Sequence, residues 1–203
     1  FNCCGHVDRK VTEVDWDAKS AEKGGYPHFM LKEIFEQPRA LRDTIHPRIN
    51  EAEKTICLDE INITAEQLQK IDRIFLAACG TAYHAGLVGK YAIESLARIP
   101  VEADLASEFR YRNPMLTENS LLIVVSQSGE TADTLAALRL AKEHGARVLA
   151  VTNVVGSSVA READDVLFTW AGPEIAVAST KAYVTQLAAM FLIAGHFAEL
   201  LGT

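Results

Sequence analysis

The sequence is short of positive charge and of cysteine, and each shortage excludes some kinds of protein. It contains 20 Lys and Arg against 27 Asp and Glu, a formal net charge of −7, and it has no cluster of basic residues. Proteins that bind nucleic acid or anionic membranes use such clusters to neutralise phosphates, so we expect neither as a partner. The 4 cysteines are too sparse for a disulfide scaffold, which favours a reducing, cytoplasmic setting. They are Cys3, Cys4, Cys57 and Cys79.

Long uninterrupted hydrophobic runs are also lacking. The longest apolar stretch, residues 182–201, is interrupted by Gln186, His196 and Glu199. A membrane-spanning helix needs about 20 nearly uninterrupted apolar residues, so we expect a buried core helix here. No charged segment followed by an apolar one opens the chain, and nothing in it therefore indicates secretion.

What the sequence does contain is an alternation of apolar runs and helical patterns after residue 72. Such runs are typical of strands in a parallel sheet that is buried on both faces. The alternation predicts an α/β domain with a three-layer, doubly wound fold around a five-stranded parallel sheet in the flavodoxin-like order 2-1-3-4-5. The predicted strands are 74–78, 101–105, 121–125, 148–151 and 166–170.

The helices between these strands are predicted to turn apolar stripes towards the sheet. One stripe comprises Val88, Tyr91, Ala92 and Leu96, and the other comprises Ala132, Leu135, Leu138 and Ala141.

The first part of the chain is predicted to lie outside this sheet. Residues 1–27 mix charges with short apolar stretches and are interpreted as a linker or part of a preceding domain. Residues 28–203 form the predicted domain, which opens with helices over 28–70. Pro38 lacks the amide hydrogen of a helix interior, so we expect two short helices that meet at Gln37-Pro38. Thr64 is expected to cap a further helix that leads to Lys70.

A hydroxyl-rich loop follows the predicted strand 121–125 and leads directly into a helix. Free amides and the helix dipole at such a helix start attract anions, and hydroxyl groups add further donors. A helix cap needs only one hydroxyl, so the larger number favours phosphate binding over capping alone. The chain has neither the Gly-x-x-x-x-Gly-Lys-Ser/Thr motif nor Gly-x-Gly-x-x-Gly after its first strand, which argues against nucleotide loops. The predicted phosphate-binding residues here are Ser126, Gln127, Ser128 and Thr131.

A second loop, Cys79-Gly80-Thr81, follows the first strand of the sheet and also opens a helix. In the predicted strand order the first and third strands are neighbours at the switch point, where ligands bind, so both loops meet there. Thr81 is therefore a further predicted phosphate donor. Cys79 is interpreted as a small buried residue at the end of the strand, because no partner histidine suggests a nucleophile.

A third loop, residues 176–181, precedes the last helix. Ser179 could contact sugar hydroxyls or simply cap that helix, and the sequence does not decide between the two.

Two other groups are not predicted to take part in binding. Glu130 is expected to face away from a bound phosphate and to interact with helix amides. Cys3, Cys4 and His6 resemble half of a metal site, but no second ligand pair follows at zinc spacing, so no metal or cofactor is predicted.

Together the three loops resemble the isomerase part of the glutamine:fructose-6-phosphate aminotransferase family, in the first of its two sugar isomerase (SIS) domains. The segments that carry the resemblance are 79–81, 126–134, 177–182 and, further upstream, 29–38. It implies a domain that binds fructose 6-phosphate or glucosamine 6-phosphate, and it implies a homodimer. It also implies phosphate contacts from Thr81, Ser126, Gln127, Ser128 and Thr131, and sugar contacts from Cys79, Gly80, Val177 and Ser179.

The same resemblance implies that this chain contributes binding residues and no catalytic residue, because the family's general base lies in a second SIS domain and a C-terminal tail. The family usually has a serine where this chain has Ala82.

Two alternative functions are considered for the chain. It could be a sugar-phosphate-sensing module of a transcription regulator or a stand-alone phosphosugar isomerase. The acidic balance and the lack of a basic helix-turn-helix speak against the regulator.

Overall fold

A computed structural model describes residues 21–203 of the chain. The predicted interpretation of residues 1–20, including Cys3, Cys4 and His6, falls outside the described residues.

The core of the fold is a five-stranded sheet in which every pair of neighbouring strands is parallel. The strands lie in the order β4-β3-β5-β6-β7, which is the predicted 2-1-3-4-5 order of a doubly wound domain. Their bounds are β3 (Arg73–Ala78), β4 (Val101–Leu105), β5 (Ser120–Ser126), β6 (Arg147–Thr152) and β7 (Asp165–Phe168). A separate antiparallel hairpin, which the sequence pattern did not predict, comprises β1 (Ile49–Asn50) and β2 (Thr55–Ile56).

Successive residues of the central strands enter two different hydrophobic cores. Ile74 and Leu76 of β3 belong to one cluster, while Phe75 and Ala77 belong to the other. The first cluster includes residues of the helices at one face of the sheet, and the second includes residues of the helices at the opposite face. This arrangement confirms the three-layer prediction and explains why the strands are apolar throughout.

The helices have the following bounds: α1 (Phe29–Ile45), α2 (Ala65–Lys70), α3 (Thr81–Leu96), α4 (Ala106–Phe109), α5 (Ala132–Glu143), α6 (Ser158–Glu162) and α7 (Lys181–Leu201). The predicted capping of α2 is confirmed, because the Thr64 hydroxyl accepts a hydrogen bond from the amide of Gln67 at 3.2 Å.

Helix α7 is long and apolar enough to cross a membrane by length and composition alone. However, 56% of its most apolar 18-residue segment is buried inside the protein. It is the predicted core helix.

The predicted stripes on α3 and α5 are only partly correct. Tyr91 and Leu96 are exposed, and the buried face of α3 consists mainly of small residues. Its members are Ala82, Ala85, Gly86, Gly89, Ala92 and Ile93. On α5, Leu138 and Ala141 are buried as predicted, but Ala132 is exposed and Leu135 half-buried. Hydrophobic periodicity does not count glycine as a buried residue. Here Gly89 faces Met190 of α7, which leaves no room for a side chain at position 89.

The prediction of two short helices around Pro38 is wrong. Helix α1 is continuous and contains Pro38 in its interior. Pro38 cannot donate to the carbonyl of Ile34, but the side-chain nitrogen of Gln37 donates to that carbonyl instead, at 2.9 Å. The substitute hydrogen bond allows the helix to pass through the proline.

Candidate functional site

The predicted loops meet at the carboxyl ends of the strands where the strand order reverses. β3 and β5 are adjacent, with Ala78 paired to Val125, and their loops lead into α3 and α5. A cleft of about 170 Å³ lies between them. It is lined by Cys79, Thr81, Ala82, Val125, Ser126, Gln127, Ser128, Thr131, Ser179 and Gln186.

The hydroxyl groups of the loop 126–131 are close together. The Ser126 and Thr131 hydroxyl oxygens lie 3.2 Å apart, and the Ser126 oxygen also accepts from the amide of Gly129 at 3.0 Å. The Ser128 hydroxyl accepts from the amide of Glu130 at 3.2 Å. Thr131 is the N-cap residue of α5, but its side chain makes no capping hydrogen bond. Its hydroxyl is therefore free of the structural role that would compete with anion binding.

Neighbouring elements hold this loop in place from behind. The carbonyl of Gln127 accepts from the amide of Asn153 at 3.2 Å, and the carbonyl of Gly129 accepts from the amide of Val159 at 3.0 Å. These hydrogen bonds fix the loop to the ends of β6 and α6 and leave its hydroxyl side facing the cleft.

Glu130 is directed away from the cleft, as the sequence predicted, although its partner belongs to a different helix. Its carboxylate accepts from the amide of Ser158, the first residue of α6, at 2.7 Å. Hydrogen bonds from the side chain and the amide of Ser158 lower the pKa of Glu130 from its ordinary value. The negative charge is thus bound at α6 and does not oppose an anion at the start of α5.

Gly129 has two properties that no other residue can reproduce. Its φ is +66°, and a Cβ atom built there would lie 2.1 Å from the Ser157 hydroxyl oxygen. Glycine adopts this left-handed conformation without strain, and the absent side chain allows Ser157 to approach.

Replacing Gly129 with Ala is expected to lower the free energy of unfolding by about 2–4 kcal/mol, because left-handed strain and overpacking add. The same change displaces the loop that lines the cleft. Chemical denaturation followed by circular dichroism measures the first effect.

Gly156→Ala is the matched control for this prediction. Gly156 also has a positive φ, +74°, but nothing lies within 4 Å of its would-be Cβ atom. It should lose only the strain, about 1–2 kcal/mol. Equal losses in the two variants would contradict the steric argument at Gly129.

The second loop passes from β3 to α3 in two residues. Gly80 is the N-cap of α3 with φ 59° and ψ −138°, a conformation that requires glycine. The sharp turn places Thr81 at the first position of the helix and in the lining of the cleft. Cys79 is partly exposed, lines the cleft and packs against the second core cluster.

The third loop is organised by Glu174, which no motif in the sequence singles out. Its carboxylate accepts from the amides of Thr180 and Ala182 at 2.9 and 3.1 Å, at the start of α7. It also accepts from the Ser179 hydroxyl at 2.9 Å. Glu174 therefore performs the capping that Ser179 was considered for, and Ser179 lines the cleft. Val177 is fully exposed and lies outside the cleft lining, so its predicted sugar contact stays a prediction.

Helix α1 supports the third loop through buried charged residues. Glu33, which is 2% exposed, accepts from the amides of Ile175 and Ala176 at 2.7 and 3.2 Å. Glu36 forms an ion pair with the buried Lys181 at 2.7 Å. The exposed face of α1 carries Met30, Leu31, Ile34 and Phe35, so this amphipathic helix turns polar groups inward.

No charged side chain lines the cleft within residues 21–203. Three helices, α3, α5 and α7, begin at or beside its lining loops. Their N-terminal amides and dipoles supply the positive potential that lysine or arginine would otherwise provide. The cleft is therefore suited to a small anionic ligand held by neutral donors.

A larger depression of about 480 Å³ lies at the opposite, amino-terminal end of the strands. Two of the three cations in its lining are already paired: Lys142 contacts Asp164 at 2.8 Å, and Arg147 contacts Asp165 at 2.7 Å. In a doubly wound sheet the ligand site lies at the carboxyl ends of the strands. The smaller cleft is therefore the better candidate.

Comparison with known proteins agrees with this geometry. The family model described as SIS domain matches residues 67–194, and the chain belongs to the SIS domain family. Among its relatives is glutamine–fructose-6-phosphate aminotransferase (isomerizing) of Clostridium acetobutylicum, 67% identical over 193 residues, which cover 95% of this chain and 32% of the relative. The Streptomyces coelicolor protein of the same name is 56% identical over 197 residues, which cover 97% of this chain and 32% of that protein.

Among solved structures, the C-terminal domain of glucosamine-fructose-6-phosphate aminotransferase from Francisella tularensis is similar, with a TM-score of 0.83 and 43% identity. The alignment covers 89% of this chain and 51% of that one. The chain spans about a third of the length of the curated relatives it matches. These likenesses confirm the resemblance inferred from the three loops.

Proposed function

We propose that this chain is the fructose 6-phosphate-binding domain of an enzyme that makes glucosamine 6-phosphate from glutamine and fructose 6-phosphate. One observation carries the proposal: three separate loops bring hydroxyl groups and helix starts to a single uncharged cleft. Such a cleft suits a monophosphorylated sugar, because the phosphate needs several donors and the sugar needs groups that both donate and accept. The names of the similar proteins supply the particular substrate.

Within this proposal the phosphate is bound by Thr81, Ser126, Gln127, Ser128 and Thr131, and the sugar by residues 79–80 together with Val177 and Ser179. The cleft lining includes no carboxylate, histidine or lysine among the described residues. We therefore assign binding and orientation to these residues, and proton transfer to groups outside them.

The remaining expectations are part of the same proposal. We propose that residues 28–203 act as one unit with α1 included, since Glu33 and Glu36 connect α1 to the third loop and α7. A homodimer in the cytoplasm, with no nucleic acid or membrane partner, completes the proposal.

The experiment that tests the proposal is a titration of the 203-residue chain with fructose 6-phosphate, glucosamine 6-phosphate and unphosphorylated fructose, followed by calorimetry. Both sugar phosphates are expected to bind, and fructose is expected to bind at least about 100-fold more weakly, because it makes none of the charge-assisted hydrogen bonds. Equal binding of fructose, or no binding of either sugar phosphate, would overturn the proposal.

A further inference from the structure

We propose that Gln186 is an additional substrate-binding residue, whose carboxamide binds a hydroxyl group of the sugar. This inference rests on the proposed function and extends it to a residue of α7. Gln186 lines the cleft and is only 2% exposed. Its side-chain oxygen is buried and has no hydrogen-bond partner among residues 21–203.

A buried carboxamide oxygen without a partner is unusual, because buried polar groups in folded proteins nearly always have a hydrogen-bond partner. Five side-chain oxygens share this condition in the described part of the chain, and they belong to Glu33, Thr134, Thr152, Thr180 and Gln186. Of these five residues, Gln186 is the one that lines the cleft. Its neighbours on the inner face of α7 include Ala182, Ala189 and Met190, which are apolar and buried. A glutamine on this apolar face of α7 gains nothing from packing that an apolar residue would not gain. A ligand that bonds to its oxygen is therefore the better explanation for it.

The chemistry of the carboxamide suits a sugar hydroxyl. The group presents an acceptor oxygen and a nitrogen that donates two hydrogens, and a hydroxyl group both donates and accepts. A phosphate dianion only accepts, so it would leave the carboxamide oxygen unpaired. The predicted phosphate donors lie in the loops before α3 and α5, whereas Gln186 reaches the cleft from α7. A ligand whose phosphate lies at those loops meets Gln186 with its sugar.

The test compares Gln186→Met and Gln186→Leu with the unaltered chain, using ³¹P NMR titrations with fructose 6-phosphate and, separately, with inorganic phosphate. Both variants are expected to bind fructose 6-phosphate about tenfold more weakly and inorganic phosphate unchanged, since only the sugar contact is lost. Methionine nearly preserves the volume of glutamine, so the melting temperature is expected to stay the same or rise when an unpartnered polar group is removed.

Thr134→Val is the matched control. Its hydroxyl oxygen is also buried without a partner, but it does not line the cleft. This variant is expected to keep full affinity for both ligands, and a comparable loss in it would overturn the inference by showing that the effect is structural.

Different outcomes separate this inference from the proposed function. If the unaltered chain binds fructose 6-phosphate and Gln186→Met binds it equally well, the role of Gln186 is wrong while the proposed function stands. If inorganic phosphate and fructose 6-phosphate weaken equally in the variants, the assignment to the sugar is wrong. If the unaltered chain binds no sugar phosphate, the proposed function itself is wrong.

Discussion

A variant that combines Ser128→Ala with Thr131→Val is expected to bind fructose 6-phosphate at least about 100-fold more weakly than the unaltered chain. Each hydroxyl is proposed to donate to the phosphate, and a hydrogen bond to a charged group contributes about 1.5 kcal/mol or more. Two such losses amount to about 3 kcal/mol, which is about two decades in the dissociation constant. Isothermal calorimetry measures the change.

The opposite end of β5 offers a control for this variant. Thr117 and Ser120 also have neighbouring hydroxyl groups, with oxygens 3.3 Å apart. They lie at and just before the amino end of β5, whereas Ser128 and Thr131 follow its carboxyl end. Thr117→Val with Ser120→Ala is expected to lower stability and leave the affinity unchanged. The phosphate assignment is wrong if the Ser128 and Thr131 variant retains its affinity, or if the control loses as much.

Replacing Glu36 with Gln is expected to destabilise the chain by about 3 kcal/mol or more, because it removes the carboxylate that compensates a buried ammonium group. Lys181 is 2% exposed and lies 2.7 Å from Glu36, and Lys32 lies 3.6 Å from the same carboxylate. For a chain of 203 residues this loss corresponds to a fall in melting temperature of about 6–12 °C. Thermal unfolding monitored by circular dichroism provides the measurement.

Two further variants decide whether the buried charge is the cause. Glu36→Gln combined with Lys181→Met is expected to recover much of the stability, since a buried pair replaced by neutral groups is often nearly neutral overall. Asp43→Asn removes the partner of Arg39 on the same helix, but that pair is 3.8 Å apart and largely exposed. It is expected to cost less than about 1 kcal/mol. A double variant no more stable than Glu36→Gln alone would contradict the explanation.

The sheet could be predicted from the sequence because its signals are local. Each central strand is a short apolar run, and the loop 126–131 concentrates hydroxyl residues between a strand and a helix. Doubly wound folds have few common strand orders, and the flavodoxin-like order, which the structure confirms, places both loops at one switch point. The predicted end of the last strand was two residues too long, because Trp170 adopts a φ of 51° and leaves the sheet.

Helix α1 shows where local signals fail. The apolar residues of an amphipathic helix ordinarily face the core, yet Phe35 is 64% exposed while Glu33 is 2% exposed. The partners of the buried side are 142 to 145 positions away in the chain, at Ile175, Ala176 and Lys181. A carboxylate can be buried only when hydrogen-bond donors or cations are present to pair with it. The sequence of the helix itself does not show where those groups come from.

The sequence by itself determined the class of fold and the loops that form the cleft, since each depends on neighbouring residues and on general rules of sheet connection. Only the tertiary structure decided that Glu174 caps α7, that small residues form most of the buried face of α3, and that the side-chain oxygen of Gln186 has no partner in the cleft. These features arise from contacts between distant segments. The free energy of burying a small or a polar side chain depends on what it meets, and that information is absent from the local pattern.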